Sequence, residues 1–240
     1  MTNPKILVCL DFDHTLVDGN TDKKIRTLCD ASGFPEETEE YSKNGLGFTA
    51  YMREVFKFFF KNNVTREDYM RSLSEIPLVE GMKELLLQMY ESNDCEIIIL
   101  SDSNSFFIQY ILHHHQLSGV VTKIFTNPAD FDKDGCLQIR EYQDQSSCSR
   151  CARNLCKGAI LESYVEKRLS EGVPFFRILY IGDGHNDVCP ALRLGDNDYV
   201  FARVGYRLLR SLEKMPAKIV KTVIIPWENG YDIRNILLSS

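Results

Sequence analysis

"CLDFDHTLVDGNTD" (residues 9–22) places Asp11, Asp13, Asp18 and Asp22 in one short stretch, directly behind the apolar run "KILV" (5–8). A run of that kind forms a buried strand. Like charges crowded at a strand end cost energy unless a cation or a shared proton relieves them. The stretch therefore predicts a strand that ends in a site. In extended chain Asp11 and Asp13 alternate with Phe12, so both carboxylates face the same side.

Outward from this stretch, short apolar runs recur: "CEIIIL" (95–100), "VVTKIF" (120–125), "FRILYIG" (176–182), "DYVFA" (198–202) and "KIVKTVIIPW" (218–227). Helical patterns lie between them: "GMKELLLQMYES" (81–92), "SFFIQYILHHH" (105–115), "CKGAILESYVEKRLSEG" (156–172) and "RLLRSLEK" (207–214), with "DIRNILLSS" (232–240) as a last helix. Such alternation implies right-handed βαβ units and an α/β fold, a Rossmann-like, doubly wound parallel sheet covered on both faces. Residues 20–76 carry no strand signal, whereas "YMREVFKFFFKN" (51–62) and "TREDYMRSL" (65–73) show apolar residues at helical spacing. We read 1–19 and 77–240 as a catalytic core and 20–76 as a helical cap inserted after the first strand. In open α/β sheets ligands bind beyond the carboxyl ends of the strands, so an insert leaving there would overhang the site.

The chain has 240 residues, 44% hydrophobic and 26% charged, as in an ordinary globular protein. Its 34 acidic against 28 basic residues give a net charge of -6, which argues against a nucleic-acid partner held through its backbone. No stretch approaches the roughly 20 apolar residues of a membrane span, and the chain enters its first strand without a signal-peptide pattern. Eight cysteines without a secretion signal lead us to expect reduced thiols and a cytoplasmic location.

Two further strands end in polar residues. "ILSDSN" delivers Ser101 and Asp102, and "YIGDGHND" delivers Asp183 and Asp187. A single such residue reads as a helix N-cap; three strand ends converging on carboxylates read as hard oxygen ligands suited to Mg²⁺.

"DFDHT", "SDSN", a later lysine and "GDGHND" resemble the haloacid dehalogenase superfamily of phosphatases and phosphotransferases. Together with "SEIPLVEG", "IFTNPADF", "CSRCARNLCKG", "YIGDGHNDVCP" and "IPWENG", the chain resembles the eukaryotic phosphoethanolamine/phosphocholine phosphatase and pyridoxal-phosphate phosphatase family over nearly its whole length. The resemblance implies that Asp11 is the nucleophile, forming an aspartyl-phosphate, and that Asp13 is the acid and base. It implies that Mg²⁺ is held by Asp11, the main-chain carbonyl of Asp13 and Asp183, with Asp187 bracing these ligands from behind. Ser101 would offer a hydroxyl and Lys157 a charge to the phosphate. Asp22 and Asp102 would repel a phosphate dianion, but they fit a substrate whose other end is cationic. The resemblance places both at substrate-contacting positions; the alternative is that they cap solvent-facing helices. The expected activity is Mg²⁺-dependent hydrolysis of a small amine-bearing phosphate ester: phosphoethanolamine, phosphocholine or pyridoxal 5′-phosphate. The same aspartates would serve a phosphotransferase, and a non-catalytic metal-binding interaction protein is the third reading.

Three features stand outside this scheme. Cys148, Cys151 and Cys156 before Lys157 suggest a structural zinc site short of its fourth ligand, since "YQDQSSC" (142–148) holds no histidine. Buried reduced thiols or a redox pair are the alternatives. "DFDKDGCLQIRE" (130–141) fits the EF-hand loop pattern, but Pro128 and the alternation in "GCLQIREY" favour an acidic β-hairpin turning at "KDG". "HHH" (113–115) reads as a solvated helix end, whereas His14 and His185 sit inside the catalytic motifs without an assigned role.

Overall fold

The computed structural model describes residues 5–35, 47–216 and 218–238. The first strand, β1 (Lys5–Leu10), is followed by α1 (Thr21–Ile25), α2 (Gly47–Lys61), α3 (Arg66–Ser74) and α4 (Met82–Glu91). Next come β2 (Cys95–Asn104), α5 (Ser105–His114), β3 (Lys123–Asn127), β4 (Ala129–Phe131) and β5 (Leu137–Ile139). The chain then forms α6 (Lys157–Ser170), β6 (Phe175–Gly182), α7 (Val188–Ala191), β7 (Tyr199–Arg203), α8 (Arg207–Glu213), β8 (Val223–Trp227) and α9 (Gly230–Leu238). Six strands form one sheet in the order β3-β2-β1-β6-β7-β8, and every pairing is parallel.

Alternation along β1 divides the interior in two. Val8 and Leu10 join one apolar cluster, Leu7 and Cys9 a second on the opposite face. Both faces are thereby covered, as expected of parallel strands that read as continuous apolar runs. From β1 the chain builds outward to β2 on one side and later to β6 on the other. That topological switch leaves a crevice at the strands' carboxyl ends.

Two expected strands begin later than their apolar runs. The run at 120–125 opens in a turn, its Val120 N–H on the Leu117 carbonyl (3.0 Å), and its first bond to β2 is from Thr122 N–H to the Ile97 carbonyl (2.7 Å), so the strand begins at Lys123. Similarly, Ile219 N–H bonds to the Pro216 carbonyl (2.8 Å), so the last strand starts at Val223. The two serines ending "DIRNILLSS" and residues 36–46 of the expected cap lie outside the described residues.

The insert after β1 is helical. Helix α3 starts where the sequence allows a reciprocal cap: the Thr65 hydroxyl accepts from Asp68 N–H, and the Asp68 carboxylate accepts from Thr65 N–H. One face of α2 buries Tyr51, Met52, Val55, Phe56 and Phe59. These rings pack edge to face with Tyr69 of α3 and Phe107 of α5. The insert therefore shares one continuous apolar cluster with Val8 and Leu10 of the sheet.

The β4–β5 pair is the expected acidic hairpin. Its turn passes through Gly135 at φ +89°, where a side chain would be strained. Asp132 spends its carboxylate on the N–H groups of Asp134 and Cys136 and on the Gln138 amide. Glu141, the last acid of the EF-hand-like pattern, is taken by Arg53 of α2 at 2.9 and 3.0 Å. The hairpin thus docks on the helical insert, a contact the sequence did not reveal.

Phe56→Ala should cost about 3–5 kcal/mol, because it empties a site closed by rings from both insert and core. Denaturant unfolding measures this; a loss under about 1 kcal/mol would mean the ring is not packed as described.

Candidate active site

The β1 register sets Leu10 level with Ile99 of β2 and Ile181 of β6. Asp11, Ser101, Asp102 and Asp183 therefore emerge together at the carboxyl edge. The Lys157 side chain, at the first position of α6 and 1% exposed, reaches back to this edge. Its ammonium donates to Asp11 Oδ1 at 2.6 Å and to Asp187 Oδ1 at 2.7 Å. Asp187 also accepts from the Tyr180 hydroxyl (2.6 Å) and from the N–H groups of Asp183 (3.0 Å) and Gly184 (2.8 Å). Four donors fill the lone pairs of one carboxylate. Asp187 is thereby a brace for the loop that carries Asp183.

Carboxylate oxygens of Asp11, Asp183 and Asp187 lie within 4.8 Å of one another. With Asp187 saturated, Asp11 and Asp183 are the side chains with acceptor capacity to spare. Thr15 steadies Asp183 through its hydroxyl at 3.4 Å. Three clustered carboxylates against one ammonium leave an excess of negative charge that suits a hard divalent cation.

Asp13 faces the same crevice. Its oxygens accept from Thr21 N–H (2.9 Å), the Thr21 hydroxyl (3.1 Å) and the Asn20 amide (3.3 Å). Thr21 in turn meets Ser103 at 2.9 Å, linking the insert's first helix to β2. Ser101 is buried, and its hydroxyl accepts from Ser103 N–H at 3.1 Å. Asp102 Oδ2 accepts from the Asn186 amide at 2.8 Å, whereas its Oδ1 is buried with no partner. Asp22, on α1, is close enough to Asp13 and Asp102 to feel both charges. The remaining acid of the opening stretch, Asp18, turns away to Arg203 at 2.9 Å. His14, at φ 58°, packs its ring against Tyr206, and His185 is exposed.

A family model described as "Putative Phosphatase" matches residues 6–240. The chain belongs to that family. Pyridoxal phosphate phosphatase PHOSPHO2 of Mus musculus is 38% identical over 232 residues, 95% of this chain and 95% of that protein. Phosphoethanolamine/phosphocholine phosphatase of Homo sapiens is 34% identical over 238 residues, 96% of this chain and 87% of that protein. Among solved structures, a substrate-bound phosphoserine phosphatase superposes with a TM-score of 0.63 at 18% identity, covering 99% of both chains. A phospho-aspartyl intermediate analogue of phosphoserine phosphatase gives 0.61 at 20% identity, again over 99% of both. The sheet is that of the haloacid dehalogenase fold, and the family is one of phosphatases, so the non-catalytic reading falls away. No helix among the described residues is long and apolar enough to cross a membrane.

Charge crowding shapes the titration of this candidate site. Burial pushes the Asp11 carboxyl up, against the pull of Lys157. Burial raises Asp13 to about 6 despite its bonds from Thr21. Asp183 is pushed up to about 7, by burial and then by Asp187. Asp22 reaches about 8, through burial and then the Asp13 charge. Asp102 is also raised by burial, which Lys157 and the Asn186 bond partly offset. Burial opposes the Lys157 charge, but Asp11 and Asp187 outweigh it and hold the ammonium protonated.

Several site residues escaped the sequence reading. Thr21 and Asn20 bind Asp13, Asn186 holds Asp102, and Tyr180 holds Asp187. Asn186 lies inside "GDGHND", and its polarity was the available signal. Tyr180 read as one more apolar strand residue. The three-cysteine cluster also gains a member: Cys189, of "DVCP", brings its sulfur within 4.8 Å of those of Cys148, Cys151 and Cys156.

The raised carboxyls bind protons more tightly folded than unfolded. Their contribution to stability is complete below the ordinary value of 3.8 and is lost as pH rises through about 6, 7 and 8 for Asp13, Asp183 and Asp22. Protein held in EDTA should therefore melt at lower temperature at pH 8 than at pH 5. Asp22→Asn should flatten the upper part of that fall, as scanning calorimetry at fixed ionic strength would show. A melting temperature that instead rises from pH 5 to pH 8 would contradict the crowding described here.

Proposed function

We propose that this chain is a Mg²⁺-dependent phosphomonoesterase that hydrolyses a small phosphate ester with a cationic end, through an aspartyl-phosphate on Asp11. One arrangement supports the reading most directly: the buried Asp11 carboxylate is fixed by Lys157 at 2.6 Å, with Asp13 two residues on at the same sheet edge. The donor set fits the metal, with Asp11, Asp183 and the main-chain carbonyl of Asp13 as the groups that would hold Mg²⁺. When bound, the ion would supply positive charge to the phosphate oxygens and to Asp11.

An Asp11 oxygen attacks phosphorus as the ester P–O bond breaks, and Asp13 gives its proton to the departing alkoxide. A value of about 6 lets Asp13 hold that proton near neutrality and take one back afterwards. In the second half, Asp13 removes a proton from water. The water oxygen attacks phosphorus, the bond to Asp11 breaks, and inorganic phosphate leaves. Lys157 and the Ser101 hydroxyl balance charge and orient the phosphate throughout. In this reading the core comprises 1–19 and 77–240, and the helices within 20–76 form a cap that brings Asp22 over the site.

The headgroup is read by Asp102 and Asp22. The unpartnered Asp102 Oδ1 is an acceptor aimed at nothing in the protein, and Asp22, raised to about 8 by burial and the Asp13 charge, gives up its proton to become a second carboxylate when a cation enters. Aminoalcohol phosphates, as named for the human relative, supply the matching ammonium. Pyridoxal 5′-phosphate, as named for the mouse relative, offers a protonated ring nitrogen.

Asp11→Asn should lower kcat by several orders of magnitude with an unchanged circular dichroism spectrum. Asp13→Asn should trap phosphate on the Asp11 peptide when the leaving group is good, as mass spectrometry of the quenched reaction would reveal. Turnover of Asp11→Asn at near the wild-type rate would sink the mechanism.

Asp22→Asn and Asp102→Asn should lower kcat/KM for phosphoethanolamine about 10- to 150-fold, equivalent to about 1.5–3 kcal/mol. p-Nitrophenyl phosphate, which carries no cation, should be hydrolysed as fast or faster. An unchanged ratio between the two substrates would reject headgroup recognition while leaving the phosphatase chemistry intact.

A further inference from the structure

Four cysteines come together behind the catalytic lysine, and the mechanism uses none of them. Cys148 and Cys151 lie on the segment between β5 and α6, Cys156 is the N-cap of α6, and Cys189 sits on α7. All eight cysteines of the chain are unbridged. Within the cluster the Cys189 sulfur is 3.7 Å from that of Cys148 and 3.8 Å from that of Cys156. A disulfide would need about 2.05 Å. A tetrahedron with Zn–S bonds of about 2.3 Å has edges of about 3.8 Å. The observed spacings match the tetrahedral edge.

We propose that Cys148, Cys151, Cys156 and Cys189 form a structural Zn²⁺ site, with Cys189 as the fourth ligand that the Cys-x-x-Cys segment lacks. Four protein sulfurs leave no open position, so the site is closed and takes no part in the chemistry. Soft thiolates select zinc over the hard ion suited to the aspartates. Binding releases the thiol protons and leaves a centre of net charge 2−.

The surroundings are built to hold such a centre. Gln145 ties the first knuckle: its side-chain amide donates to the carbonyls of Cys148, Cys151 and Ala152, while its side-chain oxygen accepts from Cys148 N–H. The N–H of Ala159, in the first turn of α6, points at the Cys156 sulfur from 3.5 Å, where the helix dipole favours negative charge. Gly158 admits both partners: a Cβ there would lie 2.7 Å from the Cys189 sulfur and 2.5 Å from Arg193 Nε. The Arg193 side chain passes the same glycine, and its guanidinium is held by Glu162.

Placement gives the site a purpose. Cys156 immediately precedes Lys157, and Cys189 follows Asp187 by two residues. The metal would thus tie together the two chain segments that meet in the Lys157–Asp187 ion pair at 2.7 Å. The segment around 148–156 forms no strand or helix; Gln145 and the metal would together fix its path.

The full chain, purified without a metal-affinity tag from zinc-supplemented culture, should carry one zinc per molecule by inductively coupled plasma mass spectrometry. Cys148→Ser and Cys151→Ser should lower this at least tenfold, whereas Cys95→Ser, outside the cluster, should keep it. Cobalt exchanged into the wild-type protein should give the visible bands of a tetrahedral thiolate site, a readout that survives even if a serine variant fails to fold. A strong zinc chelator should lower the melting temperature by several degrees in excess Mg²⁺. Wild-type protein with substoichiometric zinc and four freely titrating thiols would overturn the proposal, as would iron in the same place or a disulfide within the cluster.

Discussion

The ammonium of Lys157 lies between Asp11 and Asp187, and much of the molecule is arranged so that it can lie there. An unpaired charge at that depth would cost several kcal/mol, and so would either carboxylate without it. Strand β1 delivers one partner, the loop after β6 delivers the other, and α6 begins where its first side chain reaches both. Tyr180 and two main-chain N–H groups complete Asp187, so the second partner cannot swing away. Burial makes each of these contacts strong and makes each omission expensive.

Around this pair the site carries more acid than base, and the excess is graded. Asp11, which the lysine touches directly, and Asp183 form the part that suits a hard divalent ion. Further out, Asp13 is held by Thr21 and Asn20, while Asp102 keeps one oxygen without any partner.

The insert contributes in two ways. Its first helix presents Thr21 and Asp22 to the crevice, and its aromatic face seals against α5. Arg53 then binds the β4–β5 hairpin through Glu141 and the Ile139 carbonyl, which ties the insert to a distant part of the chain. This coupling uses rings and one guanidinium whose Nη2 reaches both Glu141 oxygens while its Nε holds the Ile139 carbonyl, contacts that fix orientation better than an apolar contact alone.

The sequence by itself determined the elements and most of the site, because those follow from short-range rules. Alternation and apolar runs mark strands, the 3.6-residue period marks helices, and strand-terminal acids in "DFDHT", "SDSN" and "GDGHND" mark the edge where they meet. The hairpin at "KDG" was legible for the same reason, since its turn chemistry is local. Tertiary structure alone decided the rest. Sheet register put Thr21 against Ser103 and aimed Asn186 at Asp102. Chain turns at Val120 and Ile219 delayed two strands. Cys189 joined a cluster on a distant segment because α6 and α7 pack closely at Gly158. None of these pairings leaves a periodic trace in the sequence: each depends on which distant backbone lies alongside, a choice made by the packing of the whole chain.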